Sequence, residues 1–545
     1  MLPISDSDTA ASSAFLTFLR QAAAARQNGT AEAEANWLDA AAQRHLLDDT
    51  SIDSLIATLL EQHRHHDAVE LAAIIAQLDP HRALAHFRLG YALQMANRHS
   101  EAIAPYRRAL AIDPKLPQLH NNLASALTLT GGDLNEQLAL LESAVHDAPD
   151  NGDAWTNLTH ANRVNLNLPR ALEAGAKAVQ CAPHSHLAHN NYALALREAQ
   201  RWDEAEHAGR TACALAPTDA TMRSNLGMLQ LVRGDYAHGW QAHEARWDGS
   251  LELGGNRPAM PAPTWQGESL ARKTLLVWGE QGMGDVLQFS RYIPLLAERV
   301  HREGGRLVWN SFPQMGALLA RSLGNHVDGY SAGGGVETLP PFDYEIPLLS
   351  LPLLFNTREE TIPAAMPYLH ADATASASWE RRLAGETRLK VGLAWTGSIG
   401  HQRNPFRRVG WQRYAEHFGG MHDVAFYSLQ PDAEADVAAA QLAGLPMSDY
   451  TAEFANFDDT AAFVSALDLV ITVCTSVSHL SGALGQRTWV LLDANPHWVW
   501  LLDRPDSPWY PSATLYRQPQ FGQWDPALEA VTRDLSALAA RHHAA

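Results

Sequence analysis

The sequence predicts an α-solenoid followed by an α/β region made of two unequal, parallel-sheet halves. Three observations carry this expectation. A proline-marked unit of about 34 residues recurs through the first part of the 545-residue chain. Helical periodicity stops after Trp247, at a stretch rich in Gly and Pro. Beyond it, short apolar runs alternate with helical patterns, as βα units feeding a parallel sheet do. A chain of this length exceeds what one hydrophobic core serves, so several domains are expected.

The period is read from Asp79-Pro80, Asp113-Pro114, Ala148-Pro149, Ala182-Pro183 and Ala216-Pro217, spaced by 34, 35, 34 and 34 residues. Ten residues after each proline stands a small side chain: Gly90, Ala124, Thr159, Ala193 and Gly227. An alanine follows 22 residues after three of the prolines, at Ala102, Ala171 and Ala205, and Ala68 extends that series backwards. Proline ends one helix and presets the start of the next. Small residues at fixed positions let the two helices of a unit approach closely. Leu89, Ala92 and Leu93 show the apolar stripe that neighbouring units bury. The 35-residue step falls at Gly131-Gly132, where a turn absorbs one extra residue. The pattern resembles the tetratricopeptide repeat (TPR) family over residues 50–248. Residues 1–49 are expected to form a helical cap or a degenerate first repeat.

Two residues before the small position stand Asn122, Asn157, Asn191 and Asn225, with Arg88 in the first repeat. Asparagine is a poor helix former, so four in register suggest a use. One reading is a groove that pairs with the amides of an extended peptide, since Asn offers both donors and an acceptor. The other is bonding between neighbouring repeats. The column is similar to the asparagine ladder of protein O-linked N-acetylglucosamine transferase, and that resemblance implies a polypeptide acceptor held through the TPR groove.

Residues 249–272 read as a linker. Strands are expected near 275–278, 307–309 and 344–347, making a first half over 273–375. A second set near 390–395, 424–429, 469–473 and 488–492 makes a second half over 388–524. Residues 525–545 are expected as a C-terminal helix, able to pack back across both halves.

Composition excludes several classes. The net charge of −19 disfavours nucleic acid and anionic membrane as partners. No stretch approaches the run of apolar residues that a membrane span requires. The N-terminus carries acids where a signal peptide carries positive charge, and Cys181, Cys213 and Cys474 are too scattered for a disulfide framework or a metal site. The expectation is a cytoplasmic protein without a metal. His63, His65 and His66 read as a solvated patch, and Trp498, Trp500 and Trp509 as packing.

Three segments carry chemistry. Gly279-Glu280-Gln281-Gly282-Met283-Gly284-Asp285 follows the first strand and opens a helix. Glycines there bring backbone close to a ligand, and a helix start favours an anion. Asp285 reads either as a helix cap or as a functional carboxylate at the cleft mouth. The strand before Cys474-Thr475-Ser476-Val477-Ser478-His479 runs into hydroxyls at a second helix start, a diphosphate cradle or an ordinary cap. His479, one turn in, is placed to donate to a phosphoryl oxygen or to protonate a leaving group, or else is a packed histidine. The loop from Thr396-Gly397 to Arg403, Arg407 and Arg408 sets three arginines in an acidic chain, suited to phosphate or simply solvated.

Together, GEQGMGDVLQFSRY, WTGS and DLVITVCTSVSHLSGALG resemble the heptosyltransferase-like glycosyltransferases of GT-B fold, over most of residues 262–520. The resemblance implies metal-independent, inverting sugar transfer from a nucleoside diphosphate, with a nucleotide sugar as donor and no further cofactor. It implies Asp285 as the catalytic base. It implies Gly282, Gly284, Thr396, Gly397, Arg408, Thr475, Ser476 and His479 around the donor. Cys474 departs from it, because the family usually carries an aspartate there. That departure keeps an alternative open, a TPR scaffold with an inactive nucleotide-sugar-binding domain. A third reading, nucleotide-sugar epimerisation, makes no use of the repeats.

Overall fold

A computed structural model describes residues 6–250, 252–401 and 403–544. Residues 1–5 of the expected cap, Leu251 of the expected linker, Gln402 of the basic loop and the terminal Ala545 lie outside the described residues. The chain divides into two compact units, Met1–Ala195 and Leu196–Ala545.

The first unit is a stack of antiparallel helix pairs. Ala83–Met95 pairs with His99–Ile112, Leu119–Leu129 with Leu134–Asp147, and Gly152–Val164 with Leu168–Cys181. The small positions sit where the helices of a pair cross. A Cβ on Gly90 would come within 2.6 Å of the Tyr106 ring, while Ala124 and Thr159 are fully buried. The helices Asp6–Gln27 and Ala31–Ala42 add Phe15, Leu16, Leu19 and Ala41 to the same core.

The turn inside each pair carries a second periodic feature. His63, Asn97, Gly131, Leu166, Gln200 and Gly234 all have φ between +59° and +81°. Their spacing repeats the period, with 34, 34, 35, 34 and 34 residues between them. Each follows a helix end as a left-handed cap, a conformation glycine adopts without strain and other residues only at a cost. Only two of the six are glycine, so the sequence signal was hidden. His63 is thus a turn residue.

The second unit opens with the helices Trp202–Leu215, Ala220–Val232, Tyr236–His243 and Arg246–Gly249. A four-stranded parallel sheet follows: β1 (Thr274–Trp278), β2 (Arg306–Ser311), β3 (Gly329–Ala332) and β4 (Tyr344–Pro347), in the order β3-β2-β1-β4. A six-stranded parallel sheet comes next: β5 (Leu389–Ala394), β6 (Val424–Ser428), β7 (Met447–Asp449), β8 (Leu469–Val473), β9 (Thr488–Leu492) and β10 (Ala513–Arg517). Its order is β10-β9-β8-β5-β6-β7. The strands expected from apolar runs are all present. Those not expected are β3, β7 and β10, the first two short edge strands with little apolar signal.

Two expectations are corrected. The segment read as a linker is tied down, because composition reports absence of helix rather than mobility. Trp265 and Leu270 are buried, Trp265 N–H donates to Glu345 O at 2.8 Å, and Arg257 pairs with Glu345 at 2.7 Å. The last helix, Asp525–Ala544, does not span both halves. Its Leu528, Val531 and Leu535 join the core beneath the second sheet, against Leu389, Val391 and Leu491.

The last repeat helices share the core of the α/β region, which is why the compact unit begins at Leu196 and not after Trp247. Trp240 packs edge-on against Trp498 (5.1 Å between ring centres) and donates to Thr357 O at 3.0 Å. Buried Arg246 grips buried Glu280 through two hydrogen bonds of 2.9 and 2.6 Å. No helix among the described residues is long and apolar enough to cross a membrane.

Candidate functional site

β1 ends at Trp278 and the chain turns through Gly279 to Gly282 into the helix Met283–Phe289. The N–H of Gly282 donates to Asp285 Oδ2 at 3.0 Å, so Asp285 does cap its own helix. Its surroundings do more. Burial first of all, with Glu252 and Glu280 adding to it against the Gly282 bond, pushes the Asp285 carboxyl up to about 7. The side chain is nonetheless only half-buried. A carboxylate that exchanges its proton near neutrality is suited to general acid–base work.

β8 delivers Cys474, Thr475 and the helix Ser476–Ala483. Thr475 Oγ1 accepts from Val477 N–H at 3.2 Å, and Ser478 Oγ donates to Thr475 O at 2.6 Å. His479 lies buried, stacked on Trp500 (5.6 Å, 24°), with Nδ1 2.9 Å from the Tyr510 hydroxyl. Burial, then the Arg291 and Arg407 charges, push its pKa down to about 3. The ring is therefore neutral, able to donate one hydrogen bond and unable to protonate a leaving group. Arg291 lies over the Tyr510 ring at 4.7 Å and donates to the Tyr368 hydroxyl at 3.1 Å.

The two helix starts meet. A Cβ on Gly284 would stand 2.9 Å from His479 Cδ2, 3.6 Å from its Nε2 and 3.6 Å from Ser476 Cα. Only glycine allows this approach, and it brings Asp285, Ser476 and His479 to one place.

The loop after β5 completes the edge. Buried Asn404 ties it, donating to Thr396 Oγ1 at 3.0 Å and accepting from Gly397 N–H at 2.9 Å. Arg408, the arginine expected at the phosphates, is exposed. It is Arg407 whose guanidinium lies against Gly397. The Arg407 charge reaches Cys474, His479, Asp493 and His497. Its Nε is buried without a hydrogen-bond partner, and it forms no ion pair among the described residues. Arg403 is structural, bound to Glu198 at 2.5 Å, Asp493 at 3.1 Å and Asn495 O at 2.8 Å. Spacing could not tell the three arginines apart, because only the loop's path decides which one turns inward.

Cys474 is buried and its thiol is pushed up by that burial, so it is uncharged. The Trp500 indole N–H donates to its Sγ at 3.1 Å. Trp498 and Trp509 pack with Tyr236, Trp240 and Phe289.

The asparagine column is engaged within the repeats. Asn157 Nδ2 donates to Asn121 Oδ1 at 2.9 Å, and Asn191 Nδ2 donates to Thr156 O at 3.3 Å, each reaching the preceding repeat. Asn122 Oδ1 accepts weakly from Asn121 at 3.5 Å, and Asn225 stands half-buried on the helix Ala220–Val232. Near His66, the Asp67 and Glu70 carboxylates are already paired with Arg64 and Arg20. An open cavity of about 670 Å³ in the second unit, lined by Trp202, Arg233, Glu359, Leu501 and Arg504 among others, contains none of the expected site residues.

The family model for the tetratricopeptide repeat matches residues 57–117 and 170–220. The helical array is a tetratricopeptide-repeat solenoid. Protein FlbA of Caulobacter vibrioides (strain ATCC 19089 / CIP 103742 / CB 15) is 27% identical over 482 residues, 83% of this chain and 72% of that protein. That likeness is too long to be confined to the TPR array. Solved TPR structures also resemble the chain. YrrB, described as a TPR protein with an unusual peptide-binding site, is 17% identical with a TM-score of 0.28, covering 33% of this chain and 93% of its own. PilF of Pseudomonas aeruginosa is 19% identical with a TM-score of 0.33, covering 38% and 95%.

Proposed function

We propose that the α/β region is a glycosyltransferase that moves a sugar from a nucleoside diphosphate to a polypeptide presented by the TPR solenoid. The observation that carries the reading is the juxtaposition of Asp285, its carboxyl at about 7, with the Ser476–Ala483 helix start and His479. The unpaired Arg407, whose charge reaches the same helix, supplies the cation such a donor needs. Asp285 takes the proton of an acceptor hydroxyl while that oxygen attacks the anomeric carbon. The bond from that carbon to the diphosphate breaks, with inversion. The departing charge is taken up by Arg407, the Thr475 hydroxyl, the amides at the helix start and the ring N–H of His479, all fixed before reaction begins. The scheme invokes no metal.

A second reading has its own observation. Cys474 is a neutral thiol that accepts from Trp500 where the resemblance implies an aspartate, and Asn157 and Asn191 already bond to the preceding repeat. These favour a TPR scaffold whose α/β region binds nucleotide sugar without turnover. Thermal unfolding against nucleoside diphosphates and nucleotide sugars tests the donor site common to both. A ligand at a hundred times its dissociation constant stabilises the protein by about 2.7 kcal/mol. The expected result is a shift with one nucleotide class that Arg407→Ala removes; no shift with any of them overturns both readings.

A further inference from the structure

Beside the proposed diphosphate cradle the sheet carries polar groups that nothing in the fold satisfies. β8 and β9 pair Val473 with Leu491, β9 and β10 pair Leu492 with Arg517, and β5 and β8 pair Ala394 with Thr472. Asp493 directly follows β9 and Gln518 directly follows β10, so the two stand on neighbouring strand ends at the carboxyl edge, where Gln518 N–H donates to Leu492 O at 2.9 Å.

Asp493, Asn495 and Gln518 are each more than nine-tenths buried. Asp493 Oδ1, Asn495 Nδ2 and both polar atoms of the Gln518 amide have no hydrogen-bond partner. His497 Nδ1, on the same loop after β9, lacks one too. Arg403 holds the loop from behind, through Asp493 Oδ2 at 3.1 Å and Asn495 O at 2.8 Å, so the unused atoms are left in fixed positions. A buried polar atom without a partner costs free energy, and five on one loop and its neighbouring strand end call for a ligand or ordered water.

The chemistry of the set names the ligand class. It offers two acceptors, Asp493 Oδ1 and Gln518 Oε1, and two amide donors, Asn495 Nδ2 and Gln518 Nε2. Hydroxyls, each donor and acceptor at once, match such an alternation. A second phosphate does not, because the Asp493 carboxylate repels it and Arg403 beside it is already paired with Glu198 and Asp493. We propose that Asp493, Asn495 and Gln518 form a subsite for a polyhydroxylated ring carried next to the diphosphate. This rests on the nucleotide-sugar reading and deepens it. Two rings of that class flank a donor's diphosphate, the ribose and the transferred sugar.

The test uses the full chain and its Gln518→Leu, Asn495→Ala and Arg407→Ala variants. In the ligand-free protein, Gln518→Leu exchanges an unsatisfied buried amide for an apolar group of similar size, so it is expected to melt at or above the wild type. A clear fall means the amide is bonded within the fold and overturns the proposal. Titration with nucleotide sugars is expected to show about ten-fold weaker binding in Gln518→Leu and Asn495→Ala, the loss of one or two neutral hydrogen bonds. If the nucleoside diphosphate alone binds the wild type, Gln518→Leu and Asn495→Ala equally, the ring is the transferred sugar. If it weakens equally, and a 2′-deoxynucleoside diphosphate binds the wild type as poorly, the ring is the ribose. Unchanged nucleotide-sugar affinity in both variants, while Arg407→Ala still weakens binding, overturns the subsite and leaves the cradle standing. Failure of the wild type to bind any nucleotide removes the underlying reading and the subsite with it.

Discussion

At the scale of single residues, Asp285 and His479 divide the acid–base work in a way their types do not announce. Asp285 is half-buried and His479 buried, and burial moves them in opposite directions, the carboxyl up to about 7 and the imidazole down to about 3. Of these two, Asp285 is therefore the one that titrates in the physiological range. The ionised form is the base, so transfer is expected to rise with pH, with a midpoint near 7 in a profile of kcat/KM. A profile flat from pH 6 to 8.5 contradicts the assignment. The same shift has a consequence for stability. Between the ordinary carboxylate range and 7 the folded state keeps a proton that the unfolded chain has lost. Asp285 therefore makes stability fall as pH rises through that window. Denaturation of Asp285→Asn over the same range should show a shallower fall. Arg407 and Arg408 give a second test. Arg407→Ala is expected to weaken nucleoside-diphosphate binding at least ten-fold, the scale of a lost charge-assisted contact, while Arg408→Ala leaves it within two-fold. Equal effects, read by calorimetric titration, would return the phosphate contact to the exposed loop.

At the scale of elements, the repeats show what spacing reveals and what it hides. The prolines and small residues were legible because each does one steric job that few residue types can do. The left-handed turns were not, because at Leu166 and Gln200 the tertiary fold imposes a conformation the residue does not favour. Leu166→Gly is expected to raise stability by about 0.5–1 kcal/mol in chemical denaturation, relief of a left-handed residue. Gly90→Ala should lower it by about 1–3 kcal/mol, since the new Cβ would overlap the Tyr106 ring. Of the candidate site, the two helix starts were readable from glycines and hydroxyls after apolar strands. Asp493 and Gln518 were not singled out, although each directly follows a strand, because a polar residue there is as often a turn residue as a ligand contact. The asparagine column had two readings, and Asn157 and Asn191 are seen bonding to the preceding repeat.

At the scale of the whole molecule, the change of grammar after Trp247 is real but does not mark the edge of a compact body. The last repeat helices enter the core of the α/β region, through Trp240 among the aromatic rings and Arg246 against Glu280. Both members of that ion pair are buried, so removing one leaves an uncompensated charge. Arg246→Ala is expected to destabilise the second unit by about 3–5 kcal/mol, read as an early unfolding transition. The Arg407 guanidinium near two helix starts gives this acidic chain a place suited to anions. Catalysis of sugar transfer at this place is read from the release of its product. Release of nucleoside diphosphate from nucleotide sugars, with polypeptide acceptor present, should be followed in the wild type and in Asp285→Asn. Acceptor-dependent release that falls about 10²- to 10⁴-fold in Asp285→Asn, with donor binding retained, is the predicted result. Donor binding without release in the wild type, or release that Asp285→Asn leaves unchanged, would contradict it.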